Sequence, residues 1–410
     1  MGWLTAAEAL SVLGVRPQTL YANVSRRRIR ARSDPKDPRR SLYHEADVRK
    51  LARSSAGARK AERVAAAAIE WGDPVLPSAI ATVAHGRLWY RGQDAVELAE
   101  RRSLEEVAGL LWENSALDVP RRHREQRTTQ SRTDTWVPNV ALTAMFIAMA
   151  GRAGHDPPSH GRSSAVLSGE ALEVLDTLAG SIVGLRHLGP LHTRLAAAWR
   201  RKQAADALRR ALVLLADHEL NASTFAVRVA VSTGASLASG VLAGLATLSG
   251  PLHGRAAVGV LDLVRTGREQ GMQSAVRHWL THRRALSGFG HPLYPEGDVR
   301  AQALLRAFAV PPEYQELSTA VYELAGERPN VDFALAAMTA CYDLPPDAPL
   351  AQFALARSVG WLAHAMEQAL AGHLIRPRAQ YIGPPIGVAQ LTPSHCAAEV
   401  AHRPRSRRAG

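Results

Sequence analysis

From Val64 onward the apolar positions recur every three to four residues, and Ala and Leu dominate over β-branched residues, so the long body of the chain is predicted to be helical. The stretch Ala351 to Leu370 sets Phe353, Leu355, Val359, Leu362, Ala363 and Met366 among polar residues at helical spacing. Alternating strand patterns are scarce, and no period of about 30 or 40 residues repeats, which argues against a solenoid. One uncharged stretch, Val229 to His253, is rich in Ser, Thr, Gly and Ala, so it reads as a helix packed closely against others and not as a membrane span. The segment Arg122 to Asp134 is charged and turn-rich, as an exposed loop would be.

The first sixty residues are patterned differently. Thr5-Ala6-Ala7-Glu8 is a capping box opening a short helix that Gly14 ends. A second helix, about Pro17 to Arg27, would bury Leu20 and Val24 and turn Gln18, Tyr21, Ala22 and Ser25 outward. A basic, turn-rich segment from Arg30 to Arg40 and Tyr43 follows, then a helix from about Glu45 to Ala52. Residues 3–52 resemble a MerR-like or excisionase-type winged helix-turn-helix. That resemblance implies DNA as a partner through residues 1–52, with Gln18 and Ser25 near base edges and Arg26, Arg30, Arg39 and Arg40 on phosphates. The alternative is a solvated basic face or a protein-docking module.

Charge sharpens this division. Of the formal +13, residues 1–63 carry +9 and residues 399–410 carry +3, which leaves a nearly neutral body between two basic ends. A basic module of this kind suits a polyanion. At 410 residues the chain has room for two or three domains. Its two cysteines, Cys341 and Cys396, form no Cys-x-x-Cys pair and fit a reducing cytoplasm; the N-terminus lacks signal-peptide character.

Familiar nucleotide motifs are missing: there is neither a Walker loop nor a Gly-x-Gly-x-x-Gly turn after a strand. His218-Glu219-Leu220-Asn221-Ala222 begins like a zinc motif but has Ala222 where the second histidine is needed, so no metal is expected. Four segments, the first of which contains that stretch, place polar groups where an apolar helical protein has little structural use for them. These are Asp217 to Thr224, Gly250-Pro251-Leu252-His253-Gly254, Gly288-Phe289-Gly290-His291-Pro292-Leu293-Tyr294 with Asp298 and Arg300 behind it, and Pro329-Asn330-Val331-Asp332-Phe333. Together they offer histidine donors, a carboxylate base and arginines for anionic groups, which is equipment for forming an enolate beside a carbonyl.

In this order the four segments are similar to those of the citrate synthase family. Trp89-Tyr90-Arg91-Gly92-Gln93-Asp94, Leu355 to His364 and Ile375-Arg376-Pro377-Arg378-Ala379 extend the likeness over about residues 64–385. The resemblance implies an all-α synthase fold behind the winged helix-turn-helix and linker (1–63). Its large domain would be built from 64–255 and 346–398, its small domain from 256–345, and 399–410 would form a basic tail. It implies condensation of an acyl-CoA with oxaloacetate and hydrolysis of the thioester. Acetyl-CoA would give citrate and propionyl-CoA 2-methylcitrate, each as a co-substrate, with no permanently bound cofactor.

By match, Asp332 is the general base, His253 the donor to the thioester carbonyl, and His291 the group that polarises oxaloacetate. His218, Arg300, Arg357 and Arg376 bind the dicarboxylate, and the backbone of Ser287, Gly288, Phe289 and Gly290 lies against the CoA adenine. The residue matching Arg376 reaches a neighbouring subunit's site in that family, which implies a homodimer with shared sites. Five positions depart from the pattern: Arg255 and Ala257 after His253, Pro292 and Pro295 where basic residues often hold CoA phosphates, and Val299 in place of the frequent proline before Arg300. A second expectation, from a different class, is a DNA-binding regulator whose synthase body senses metabolites.

Overall fold

A computed structural model describes residues 2–13, 20, 23–24, 29–35, 37, 41–50, 76–114, 140–183, 189–254, 256–282 and 286–377. The charged segment 122–134 and the basic tail lie outside these residues.

The N-terminal unit is a small mixed structure. Thr5 caps α1 (Ala6–Leu13): its amide donates to the Glu8 carboxylate at 2.8 Å, and the Glu8 amide donates back to the Thr5 hydroxyl at 3.4 Å, the reciprocal bonding of a capping box. Strands β1 (Trp3–Leu4), β2 (Ala31–Ser33) and β3 (Ser41–His44) form an antiparallel sheet in the order β1-β3-β2, with Leu4 and Ala31 both opposite Tyr43. The β2–β3 hairpin stands where a wing was expected. Residues 45–50 are helical, as are residues 20, 23 and 24. Ala9, Leu13, Leu20, Ile29, Tyr43 and Val48 close a minimal core. The remaining residues of the expected second helix, Gln18, Ser25 and Arg26 among them, and Arg39 and Arg40 of the expected wing, fall outside the described residues. Arg30 is described, and Asp47 occupies its guanidinium through bonds of 2.8 and 2.9 Å.

The expectation of an all-α body needs one correction. Strands β4 (Ala81–Ala84), β5 (Arg87–Tyr90) and β6 (Gln93–Asp94) form a second antiparallel sheet. Each of its two turns has two consecutive residues at positive φ, His85-Gly86 and Arg91-Gly92, the geometry that matches the twist of a tight hairpin. Asp94 then caps α2 (Ala95–Arg101), and Ser103 with Glu106 forms a capping box on α3 (Leu104–Leu111).

Among the described residues, the named elements that follow α3 are helices: α4 (Val140–Ala153), α5 (Ser164–Val183), α6 (Leu191–Ala198), α7 (Ala205–Leu215), α8 (Ala222–Ser232), α9 (Leu237–Leu248), α10 (Ala256–Gln270), α11 (Met272–Thr281), α12 (Val299–Leu305), α13 (Pro312–Ala325), α14 (Val331–Tyr342) and α15 (Ala348–Ala371). The uncharged stretch is split between α8 and α9, and among the described residues no helix is long and apolar enough to cross a membrane. Helix α15 begins three residues earlier than its apolar pattern suggests. It is buried nearly all round, as a helix at the centre of a large core must be, and packs on α3, α5, α7, α8, α9 and α14.

Two cores meet at α14. Phe333, Ala336 and Ala337 join a smaller cluster with residues of α10, α11 and α13, whereas Val331, Ala334, Leu335 and Met338 join the large cluster around α15. The two sets follow helical periodicity, so each is one face of the helix. Asp332 therefore starts a helix that is shared between the cores.

Candidate active site

The site is assembled from the ends of helices. Tyr90, closing β5, puts its hydroxyl 3.1, 3.3 and 3.2 Å from the carbonyls of Val213, Leu214 and Asp217, and so fixes the exit from α7. Past it, Glu219 adopts φ +53°, and its carboxylate reaches back to the Thr82 hydroxyl and the Val83 amide. This turn delivers His218, whose Nε2 lies 3.0 Å from the Tyr294 hydroxyl and whose ring stands edge-on to His291 at 5.1 Å.

Two arginines come from different helices. Arg300, on α12, is held by Asp298 through bonds of 3.0 and 2.8 Å and lies over the Tyr294 ring at 5.3 Å. Arg357, on α15, donates from Nε to the Leu215 carbonyl at 2.9 Å and stacks on Phe353. One of its terminal nitrogens is buried without an acceptor among the described residues. A buried guanidinium N–H facing nothing is costly unless a ligand completes it, and a carboxylate is the group its planar geometry fits.

Both histidines matched to the chemistry are held neutral. Burial, with Arg300 adding to it, lowers His291 to about 4 against an opposing pull from Asp298. Burial, aided by Arg357, lowers His253 to about 4. His218 is pushed well below its ordinary value by burial and the two arginines. The Leu293 amide donates to His291 Nδ1 at 3.2 Å, so in the neutral ring the proton resides on Nε2, ready to donate to a carbonyl oxygen. His253 packs edge-on against Phe353, and its Nε2 lies 2.8 Å from the Ser223 hydroxyl, which also receives the Trp361 indole N–H at 3.2 Å.

Asp332 sits in the first turn of α14, which Asn330 caps by accepting from the Asp332 amide at 3.0 Å. Burial pushes the Asp332 carboxyl up to about 7; Asp298 adds to the rise, while Arg300 and Arg357 oppose it. A carboxylate poised near neutrality suits proton abstraction from carbon.

The loop 287–290 is stitched to this helix start. Asn330 donates from its side chain to the Ser287 and Gly290 carbonyls at 3.3 and 3.1 Å, the Asn330 amide donates to the Gly288 carbonyl at 2.9 Å, and the Gly290 amide to the Arg328 carbonyl at 2.8 Å. Gly290 has φ +68°, a backbone conformation that favours glycine, whereas a Cβ there would meet only the movable carboxylate of the exposed Glu327.

Of the residues singled out in the sequence, His218, His291, Arg300 and Arg357 gather around one centre. His253 and Asp332 border it, linked by Phe353 and by the field of the two arginines. Arg376 does not join them: it is exposed in the segment after α15. Sequence reasoning passed over Ser223, Tyr294 and Asp298 as functional groups although it quoted the segments containing them, because each acts by holding a residue that is itself conspicuous.

A model of the citrate synthase C-terminal domain matches residues 70–378, three quarters of the chain. The chain belongs to the citrate synthase family. That is a family of enzymes that transfer an acyl group in a condensation. The chain is similar to citrate synthase 2 of Bacillus subtilis, 37% identical over 190 residues, covering 44% of this chain and about half (51%) of that protein. It is also similar to 2-methylcitrate synthase of Mycobacterium tuberculosis, 30% identical over 336 residues, covering 72% and 84% of the two chains. The citrate synthase fold recurs in the enzyme of Thermotoga maritima, with a TM-score of 0.58 at 24% identity, covering 79% of this chain and 97% of that one. It recurs likewise in the Thermoplasma acidophilum citrate synthase solved with carboxymethyl coenzyme A and oxaloacetate, with a TM-score of 0.57 at 24% identity over 76% and 94%.

Proposed function

We propose that this protein condenses acetyl-CoA with oxaloacetate and hydrolyses the resulting thioester, releasing citrate and free CoA. Propionyl-CoA, giving 2-methylcitrate, is the alternative acyl donor; one methylene is worth only about 1–3 kcal/mol in a pocket, and relatives of both names match the chain. The observation that carries the reading is the buried Arg357 nitrogen with no acceptor among the described residues, placed among histidines held neutral.

In this reading Arg300, Arg357 and His218 take up the carboxylates of oxaloacetate. Asp332 removes a proton from the acyl α-carbon while His253 hydrogen-bonds the thioester oxygen on which charge develops. The new carbon–carbon bond forms at the oxaloacetate carbonyl, whose oxygen accepts from His291 Nε2–H. Water then cleaves the thioester, so that one water is consumed and the CoA thiol leaves. The backbone of Ser287 to Gly290 lies along the CoA adenine. Arg376, exposed in one chain, completes the site of a second copy in a homodimer. The large domain comprises 64–255 with 346–398 and the small domain 256–345, which closes over the substrates. The enzyme works in the cytoplasm.

The test is CoA thiol release with oxaloacetate and either acyl-CoA, using Asp332→Asn as the blank. Release above that blank is expected, and the ratio of the two rates names the donor. No release with either, from a folded protein that binds oxaloacetate, overturns the reading.

A second reading, DNA binding by residues 1–52, is favoured by the +9 charge of residues 1–63 and by the exposed β2–β3 hairpin, where Arg32 lies 4.2 Å from the Trp3 ring. It predicts salt-sensitive retardation of duplex DNA that shifts with oxaloacetate or CoA if the body is a sensor. Binding unaffected by either ligand removes the sensor role.

A further inference from the structure

Behind the reacting groups runs a line of buried polar side chains that the proposed chemistry does not use. His364, on α15, has no exposed surface. Its Nδ1 accepts from Arg228 Nε at 3.1 Å, and since an arginine only donates, the proton of the neutral ring is on Nε2, which faces Asp217 Oδ2 at 3.4 Å. Asp217 is also fully buried, and the same oxygen accepts the Glu219 amide at 3.1 Å. Those two bonds close the turn that presents His218 to Tyr294. From behind, Arg228 is held by Gln368 and by the Glu367 carboxylate, which in turn accepts the Ala79 amide at 2.9 Å. His364 follows Arg357 by seven residues, two helical turns, so the two lie on one face of α15.

We propose that His364 is a positioning residue for the oxaloacetate site, tying Asp217, and through it His218, to the helix that carries Arg357. Two dicarboxylate-binding groups from segments 139 residues apart are thereby kept at one spacing. Without His364, the Asp217 carboxylate keeps the Glu219 amide as its one side-chain hydrogen bond among the described residues, with Arg228 and Arg357 acting on it only through their charge, and the turn loses that direct tie to α15. His218 moves with the turn. The identity of the ligand rests on the function proposed above.

The experiment compares full-length protein with His364→Leu and His364→Gln. Glutamine offers an oxygen to Arg228 and an N–H to Asp217; leucine offers neither. Misplacing a binding group by about 1 Å costs up to about 100-fold. His364→Leu is therefore expected to raise KM for oxaloacetate at least about tenfold while KM for acyl-CoA changes less than about threefold, and His364→Gln is expected to recover most of the loss. If the leucine variant does not fold, Asp217→Asn is expected to show the same split. An unchanged KM for oxaloacetate, or equal losses in both KM values with no recovery by glutamine, overturns the proposal. If the parent releases no CoA, the proposed reaction fails by itself, and the rise in Tm that oxaloacetate produces in the parent, and its loss in His364→Leu, decides the positioning role. A parent that oxaloacetate does not stabilise overturns both.

Discussion

Asp298 grips one edge of the Arg300 guanidinium, accepting from Nε and Nη2, and the Asp298 oxygen that accepts from Nη2 also accepts the Val331 amide at 3.0 Å. One carboxylate thus ties the Arg300 cation to the first residue of the helix on which Asp332 is the second. Burial would raise the Asp298 pKa, but the charge and hydrogen bonds of Arg300 outweigh it and hold the group below the ordinary carboxylate range. The placement of Arg300 relative to the start of α14 therefore depends on one carboxylate, two residues from the cation and 33 from the helix.

Removing that contact has a definite cost. Asp298→Ala leaves Arg300 buried with no counter-charge and is expected to destabilise the fold by about 3–5 kcal/mol, read as a shift of the urea midpoint at unchanged slope. Oxaloacetate binding should fall as well, because the unpaired guanidinium no longer has a fixed direction. A variant as stable as the parent would show that Arg300 finds another partner.

The pH dependence follows from Asp332. Proton abstraction needs the carboxylate, so kcat/KM for acyl-CoA should rise with pH through about 7, falling tenfold per pH unit below it. His253 and His291 add no limb between pH 6 and 9, because both are already neutral there. Stability carries the opposite sign. The folded pKa lies above the unfolded value of 3.8, so the cost of ionising Asp332 is absent below about 3.8 and fully present above about 7, where it amounts to about 4 kcal/mol. Asp332→Asn should therefore be inactive yet raise Tm at pH 8, with the gain vanishing toward pH 4. A Tm gain independent of pH would assign the effect to packing.

Much of this was legible in the sequence, for a physical reason. His218, His253, His291, Arg300, Arg357 and Asp332 stand in short segments where polar groups interrupt apolar helices, and such interruptions are costly unless used. Groups whose role comes from distant pairing left no such mark. Tyr90 reaches the end of α7 across more than 120 residues, Trp361 reaches Ser223 across 138, and His364 reaches Asp217 across 147. The β4–β6 sheet escaped notice because its strands are two to four residues long, shorter than the window in which alternation is visible, although His85-Gly86 and Arg91-Gly92 were turn signals. Arg376 is the reverse case: conspicuous in sequence, yet exposed in the segment after α15 and apart from the other groups.

The approach of α7 to α15 can be probed at Gly360. Its amide donates to the Ala216 carbonyl at 3.0 Å, and a Cβ there would fall 2.4 Å from that carbonyl and 2.3 Å from Asp217 Oδ1. In an open helix, Gly→Ala is favourable by about 1 kcal/mol, because alanine loses less backbone freedom on folding. At Gly360 the added methyl must displace backbone, so overpacking of about 1–3 kcal/mol prevails and the variant should be less stable. Gly169, on exposed α5 surface with nothing within 4 Å of its would-be Cβ, is the control, and Gly169→Ala should raise Tm. Opposite signs from one chemical change separate packing from propensity. Stabilisation in both would mean that α15 can retreat from the Asp217 turn, and the fixed spacing between Arg357 and His218 would lose its structural basis.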